Sequence, residues 1–359
     1  MAPHAARRDR LRELMAAAGC EALLVTGLPD VRYLSGFSGS NGALLVLADA
    51  AVLATDGRYR VQAGREAPDV ELIVTRQLLT DLLGAAAQRG LARVGFDPAR
   101  MSVAGWRQAG EDVPEIALEP VEVDVAGLRA VKDDAEIALL RQASAISIQA
   151  LTALLEDVRL GMTELALARR LELLMGEAGA SDRAFDSIVA AGPHSAIPHH
   201  QPTTRPIAAG DLLKIDFGAL FEGYHSDCTR TFIVAAEPLD WQAEIHAVVL
   251  AAQRAGIGAL APGASGQQVD RAAREVIEEA GFGQYYSHGL GHGVGLQIHE
   301  APFLGPTSTH TVEARNPLTV EPGVYLPDRG GVRIEDTVLV LDDNVEILTD
   351  FPRDLARVG

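Results

Sequence analysis

Cysteine is nearly missing: Cys20 and Cys228 are the only two in 359 residues, and they lie far apart. Such a pair builds no disulfide framework and suits a reducing compartment. Aromatic residues are few, 5% of a chain that is 48% hydrophobic, so an ordinary core of Ala, Leu and Val is expected. Positive charge is also scarce. The 31 basic residues face 49 acidic ones, for a net charge of −18, which argues against nucleic acid or an anionic membrane as partner. Carboxylates that bind cations would reduce that figure. No apolar run of membrane-spanning length is read from the sequence. Residues Met1 to Arg10 are basic, but no apolar stretch or cleavage site follows, so no secretion signal is expected and the expected location is cytoplasmic. Internal repeats and low-complexity segments are absent.

The length suggests two domains, or one large one. Helical spacing over Arg7–Ala18 is followed by short apolar runs at Glu21–Val25, Ala43–Leu47, Ala51–Ala54, Val70–Val74 and Val94–Phe96. Helical patterns occur at Tyr59–Ala67, Leu78–Arg89 and near Val103–Ala109. This alternation predicts an α/β domain ending near residue 125. Thr26–Asp30 reads as a loop. Gly36–Gly42 lacks phosphate-loop spacing and reads as a tight reversal, with Phe37 on it free to line a neighbouring pocket. Leu128–Leu155 reads as the link into the second domain, where Lys132-Asp133-Asp134-Ala-Glu136 opens a long amphipathic helix, and a second spans Thr163–Ala178. Asp240–Leu260 and Ser265–Gly281 are a further helical pair.

From His194 onward the composition changes, because every histidine except His4 lies there. The stretch Leu212–Phe232 reads as two strands joined through Gly218 and Glu222-Gly223, a β-hairpin with one slightly long connection. Asp216 lies inside the first strand and Asp227 near the start of the second. Facing carboxylates would repel unless one took up a proton or a cation came between them. Cys228, pointing to the opposite side, reads as a small core residue. His288-Gly-Leu-Gly-His292-Gly-Val-Gly-Leu-Gln-Ile-His299 follows. Its Gly-x-Gly spacing mimics part of a dinucleotide fingerprint but lacks the strand-to-helix setting. Glycines beside histidines instead let the backbone gather several rings in one cleft. Finally, Glu321 sits at a strand end before Pro322-Gly323. Glu335 is expected inside a strand, with Arg333 on the same face. An unpaired acid buried there would cost several kcal/mol, so a compensating charge is expected.

Together Asp216, Asp227, His292, Glu321 and Glu335 resemble the five-ligand signature of the dinuclear pita-bread metallopeptidases. The superfamily includes methionine aminopeptidase, prolidase, aminopeptidase P and the metal-free creatinase. The resemblance spans nearly the whole chain. It implies an α/β (α+β) fold: a creatinase-type N-terminal α/β domain, residues 1–125, followed by a pita-bread catalytic domain, residues 126–359. The N-terminal domain and the Arg333–Asp336 ending point away from methionine aminopeptidase, and retention of all five ligands points away from creatinase. Xaa-Pro peptidases remain. Prolidase, acting on proline-containing dipeptides, is preferred over aminopeptidase P, acting on longer peptides, and over a metal-free peptide-binding relative.

By the same resemblance, two divalent cations are bound. Mn²⁺ is the first choice for an oxygen-rich set, with Co²⁺ or Zn²⁺ as alternatives. Asp227 and Glu335 bridge them, Asp216 chelates one, and His292 and Glu321 hold the other. Glu321 relays a proton to the leaving nitrogen. His199, seventeen residues before Asp216, with His288 and His299, contacts substrate or the tetrahedral intermediate; neighbouring His200 is the alternative to His199. Arg333 orients Glu335 and receives a carboxylate, and Tyr325 is a further pocket residue. A homodimer is expected from relatives.

Overall fold

Continuous apolar runs in the first third of the chain become strands. In the computed structural model, which describes residues 3–359, the chain forms two compact units, Met1–Arg129 and Ala130–Gly359. The first runs α1 (Pro3–Ala17), β1 (Ala22–Val25), α2 (Leu28–Ser35), β2 (Gly42–Leu47), β3 (Ala51–Thr55), α3 (Arg60–Glu66), β4 (Glu71–Val74), α4 (Leu78–Gln88), β5 (Arg93–Phe96), α5 (Val103–Asp112) and β6 (Ala117–Pro120), then α6 (Val125–Ala130). Its sheet has the order β4-β3-β2-β1-β5-β6. The β1–β2 and β2–β3 pairs are antiparallel and the rest parallel. Leu24, Leu45, Val52, Leu82 and Val94 are fully buried in its core, each worth about 1.5–3 kcal/mol relative to exposure.

Two expectations for this unit need correcting. Thr26–Asp30 is not all loop, since α2 begins at Leu28. Pro29 reads as a breaker, yet in a first helical turn its missing N–H has no partner to lose. Phe37 does not line a pocket. It is 1% exposed, lies so close to Gly39 and Gly42 that neither has room for a side chain, and meets Tyr59 edge-on.

The second unit contains α7 (Asp134–Asp157), α8 (Glu164–Glu177), β7 (Asp182–Arg183), β8 (Ile188–Ala191), β9 (Leu212–Phe217), β10 (Ala219–Phe221), β11 (Tyr224–His225) and β12 (Cys228–Val234). After these come α9 (Asp240–Gly258), α10 (Gly266–Glu279), β13 (Gly291–Gly293), β14 (Glu300–Leu304), β15 (Pro317–Val320), β16 (Gly323–Leu326), β17 (Gly330–Arg333), β18 (Asp336–Val340), β19 (Val345–Ile347) and β20 (Arg357–Val358). The sheets have the orders β20-β12-β9-β8, β11-β10-β7, β14-β13-β15-β18-β19 and β16-β17.

Helix starts follow their capping residues. Asp133 and Glu136 form a reciprocal capping box at α7, Thr163 caps α8, and Ser265 with Gln268 closes a second box at α10. By length and composition α7 is apolar enough to cross a membrane, more than the sequence reading allowed. Here it is a core helix. Half of its apolar window is buried, Ser147 Oγ accepts the Ala219 N–H, and Glu136 accepts the Tyr224 hydroxyl.

The unit is built twice over. The α7–α8 pair packs its Leu151, Leu154, Leu167 and Leu171 on Ile215 and Phe217 of β9. The α9–α10 pair packs Val249, Ala252, Val269 and Ile277 on Leu318 of β15 and Val338 of β18. Each helix pair therefore covers an antiparallel strand pair, β9–β12 or β15–β18. The β9–β12 connection is more than a long turn. Its β10–β11 hairpin leaves at Gly218 and pairs with β7.

A Cβ on Gly218 would overlap the Ser226 carbonyl, and backbone cannot retreat as a flexible side chain can. Gly218→Ala should therefore cost about 2–3 kcal/mol. Chelator-treated protein would then melt roughly 5 °C or more below wild type, and equal melting temperatures would contradict this packing.

Candidate functional site

Each strand pair delivers two acids at one of its ends. Asp216 lies at the end of β9 and Asp227 one residue before β12; Glu321 follows β15 and Glu335 precedes β18. Glu335 is thus not inside a strand as expected. It occupies the crossing from β17 to β18, pinned to β12 by the Glu335 N–H on the Thr229 carbonyl, 3.0 Å. His292 arrives on β13, whose backbone runs hard against its neighbours. A Cβ on Gly291 would strike the Thr319 carbonyl, and one on Gly293 the Ala301 carbonyl. The glycines therefore serve close strand approach.

The five side chains converge. Asp227, His292 and Glu335 each present a donor atom within 4.8 Å of the other two. His292 Nε2 stands 3.6 Å from Asp227 and 3.4 Å from Glu321. Its Nδ1 is 3.1 Å from the Gly293 carbonyl, which can only accept, so Nδ1 is the donor and Nε2 faces the acids. Asp216 pairs with Arg333 through one oxygen, while its buried Oδ1 has no hydrogen-bond partner among the described residues. Burial, then the charges of Glu335, Asp216 and Glu321, push the Asp227 carboxyl well above its ordinary range. Burial, Glu321 and Asp216 do the same to Glu335. Burial raises Glu321 too, but the His292 hydrogen bond and the nearby positive charges outweigh it and hold that carboxyl at about 2. Four crowded acids, an orphaned oxygen and one oriented imidazole fit a pair of divalent cations.

Arg333 makes its direct ion pair with Asp216 rather than Glu335. Its link to Glu335 runs through Thr229, whose hydroxyl donates to Glu335 Oε2 at 2.5 Å and accepts from Arg333 Nε at 3.1 Å. Arg333 also donates to the Tyr325 hydroxyl, 2.9 Å, which lies 2.9 Å from His288 Nε2. His288 Nδ1 is 2.8 Å from the Gly289 carbonyl. Both ring nitrogens of His288 are therefore engaged, leaving ring carbons to border the cleft. Tyr325, expected in the pocket, does not line it. Its phenol is buried beneath, and burial pushes it up to about 12.

Two cavities meet at the acids. One, about 580 Å³, is bordered by Asp216, Asp227 and Glu335; the other, about 700 Å³, by His288, Phe303 and Arg333. His199, His292, His299 and Glu321 border both. His199 and His299 are exposed there, and the His299 ring stands 4.4 Å from that of His292.

His200, the alternative to His199, turns away. It lies 2.9 Å from buried Glu164, which also meets His194 at 2.9 Å and accepts the N–H groups of Ala191 and Thr203. Glu164, His194 and His200 also have donor atoms within 4.8 Å of one another, but the Glu164 oxygens already hold these hydrogen bonds. Buried Lys214 donates to the Ile197 carbonyl at 2.7 Å and anchors the same loop. Sequence reading missed Thr229, Lys214 and Glu164. The first two carry a signal: each is a polar residue two positions from a ligand aspartate, hence on its face of the strand.

The crowding has a consequence for pH. Above the ordinary carboxylate pKa of about 4, the unfolded chain has released protons that Asp227 and Glu335 still hold when folded. Their contribution to stability therefore falls as pH rises from there to their raised values. Glu321 acts in the opposite sense, but its contribution is complete above the ordinary range and fades only as pH drops toward 2. In chelator-treated protein, the stability gained by Asp227→Asn over wild type should grow as pH rises from 4 to 7, by thermal melts. A gain that does not change with pH would contradict the crowding.

Comparison with known proteins agrees with this geometry. Residues 138–342 match the metallopeptidase family M24 and residues 7–131 the creatinase/prolidase N-terminal domain. An uncharacterized peptidase of Bacillus subtilis, YqhT, is 35% identical over 97% of this chain and 98% of its own. The solved structure of an Xaa-Pro dipeptidase from Bacillus anthracis superposes with a TM-score of 0.94 at 35% identity, covering 99% of this chain and 100% of that one. An X-Pro aminopeptidase from Thermotoga maritima gives 0.89 at 34% identity, over 96% and 100% of the two chains. With a family match covering more than half its length and relatives aligned end to end, the chain belongs to metallopeptidase family M24.

Proposed function

We propose that this protein is an Xaa-Pro dipeptidase, hydrolysing the bond before proline with two divalent cations held by Asp216, Asp227, His292, Glu321 and Glu335. The observation that carries the proposal is the row His199, His292, His299 and Glu321, which borders both cavities beside the buried acids. A scissile bond laid along that row has one half of the substrate on each side. Bound cations would supply Lewis acidity and an activated water at neutral pH.

The chain's own residues do the rest. Asp216, with the cation it would hold, gives the free amine of a substrate its anchor, which accounts for exopeptidase action. Glu321, a carboxylate throughout the physiological range, takes up a proton and passes it to the leaving proline nitrogen. His199 and His299 face the reacting carbonyl as hydrogen-bond donors. Although the residue reaches solvent, partial desolvation of its ring, then His292, lowers the His299 pKa, so it donates as a neutral ring. Arg333, tied to Asp216 and through Thr229 to Glu335, keeps the acids from swinging apart. Its buried position supports that orienting role more than direct receipt of a substrate carboxylate. Mn²⁺ is the proposed metal, and cytoplasmic residence agrees with two unpaired thiols. A homodimer belongs to the same proposal, read as twice the chain mass by light scattering.

Two experiments test this reading. Glu335→Ala should bind less than half the wild-type metal by elemental analysis and lose activity at least a hundredfold, with an unchanged circular dichroism spectrum. A metal-loaded, active Glu335→Ala would remove the site assignment. With Mn²⁺ present, Ala-Pro should be cleaved faster than Ala-Pro-Ala. The reverse order would make the protein an aminopeptidase P, for which the 700 Å³ cavity offers room.

A further inference from the structure

The two cavities differ in chemistry. The first carries Asp216, Asp227 and Glu335, whereas the second carries none of these and is walled by Pro198, Phe303, Leu304 and Pro306. A peptide with a free amino terminus satisfies both by placing its amine at Asp216 and the cation held there and its proline ring against the apolar wall. The side chain of the residue before proline, which shares its α-carbon with that amine, then occupies the first cavity.

One wall of that cavity is a face of α8. Leu165, Ala168, Arg169 and Glu172 line it at positions i, i+3, i+4 and i+7. The charges along this wall are mostly committed. Arg183 is neutralised by Glu172 at 3.0 Å and Asp186 at 2.7 Å. Arg169 is not. It is exposed, and among the described residues it is the one arginine or lysine lining this cavity without a carboxylate at ion-pair distance. Its neighbour on the helix, Arg170, does have one, Asp157 at 2.8 Å. An unpaired guanidinium in so acidic a cavity can take an anion arriving from solvent, and its planar fork matches a carboxylate.

We infer that Arg169 determines specificity by favouring substrates whose residue before proline is aspartate or glutamate. The inference rests on the Xaa-Pro reading above and names the substrate class within it. The substrate side-chain carboxylate pairs with Arg169, while the free amine stays at the Asp216 end of the cavity.

The test compares kcat/KM for Glu-Pro and Gln-Pro, nearly equal in shape, in metal-loaded wild type and Arg169→Gln. An exposed ion pair should favour Glu-Pro about two- to fivefold in wild type. The ratio should fall to about one in Arg169→Gln, and Arg169→Glu should favour Lys-Pro over Gln-Pro instead. Because each result is a ratio within one protein, a general loss of activity or metal cancels. No Glu-Pro preference in wild type, or a preference that survives in Arg169→Gln, overturns the inference. Calorimetric binding of glutamate against glutamine to the same proteins reads the pairing without turnover. If metal-loaded wild type cleaves no Xaa-Pro peptide, the activity reading has failed, and the calorimetric ratio alone decides Arg169: equal affinities overturn it.

Discussion

Four carboxylates crowded together, three of them almost wholly buried, repel one another, and the rest of the catalytic unit is arranged to contain that repulsion. Asp216, Asp227 and Glu335 are each less than a tenth exposed. Left without compensation, such a group would protonate or force the strands apart. Arg333 compensates part of it from beneath, and the Thr229 hydroxyl passes that restraint to Glu335. What remains uncompensated, including the free oxygen of Asp216, is a demand for cations. The interaction that is costly to folding is thus the one that creates affinity for metal.

The restraint works because the acids come from two strand pairs of the same construction. Each pair, covered by its own helix pair, contributes one acid leaving a strand and one about to join the next. Between them stands His292, on a strand whose glycines let it press close to β14 and β15. The Arg333–Tyr325–His288 chain ties the floor of the site to the wall of the second cavity. Chemistry at the acids and the shape of the apolar cavity are therefore mechanically connected.

Much of this was legible in the residues. An aspartate inside an apolar strand, Asp216, and an acid before a Pro-Gly turn, Glu321, break local patterning so plainly that they mark the site. Capping residues placed α7, α8 and α10 almost to the residue. What stayed hidden depends on contacts far apart in sequence. The doubled architecture left no repeat, because two different sets of apolar residues fill equivalent cores. Glu335 read as strand interior because Val332 and Ile334 alternate with Arg333 and Glu335, although the backbone changes sheets there. Glu164 looked like an ordinary first-turn acid on α8, since nothing local shows that His194, His200 and Thr203 gather on it. Pro29 masked the start of α2 for a different reason: the same residue breaks a helix interior and opens a helix.

Glu164 begins the helix whose next turns line the first cavity, and its carboxylate grips the loop that carries His199. The cavity face of α8 and the loop bearing His199 consequently share an anchor at Glu164, which Lys214 reinforces from β9. A tilt of that helix would strain the Glu164 hydrogen bonds and, with them, the loop on which His199 sits. The shape of the first cavity and the placement of His199 are thereby coupled through one buried carboxylate.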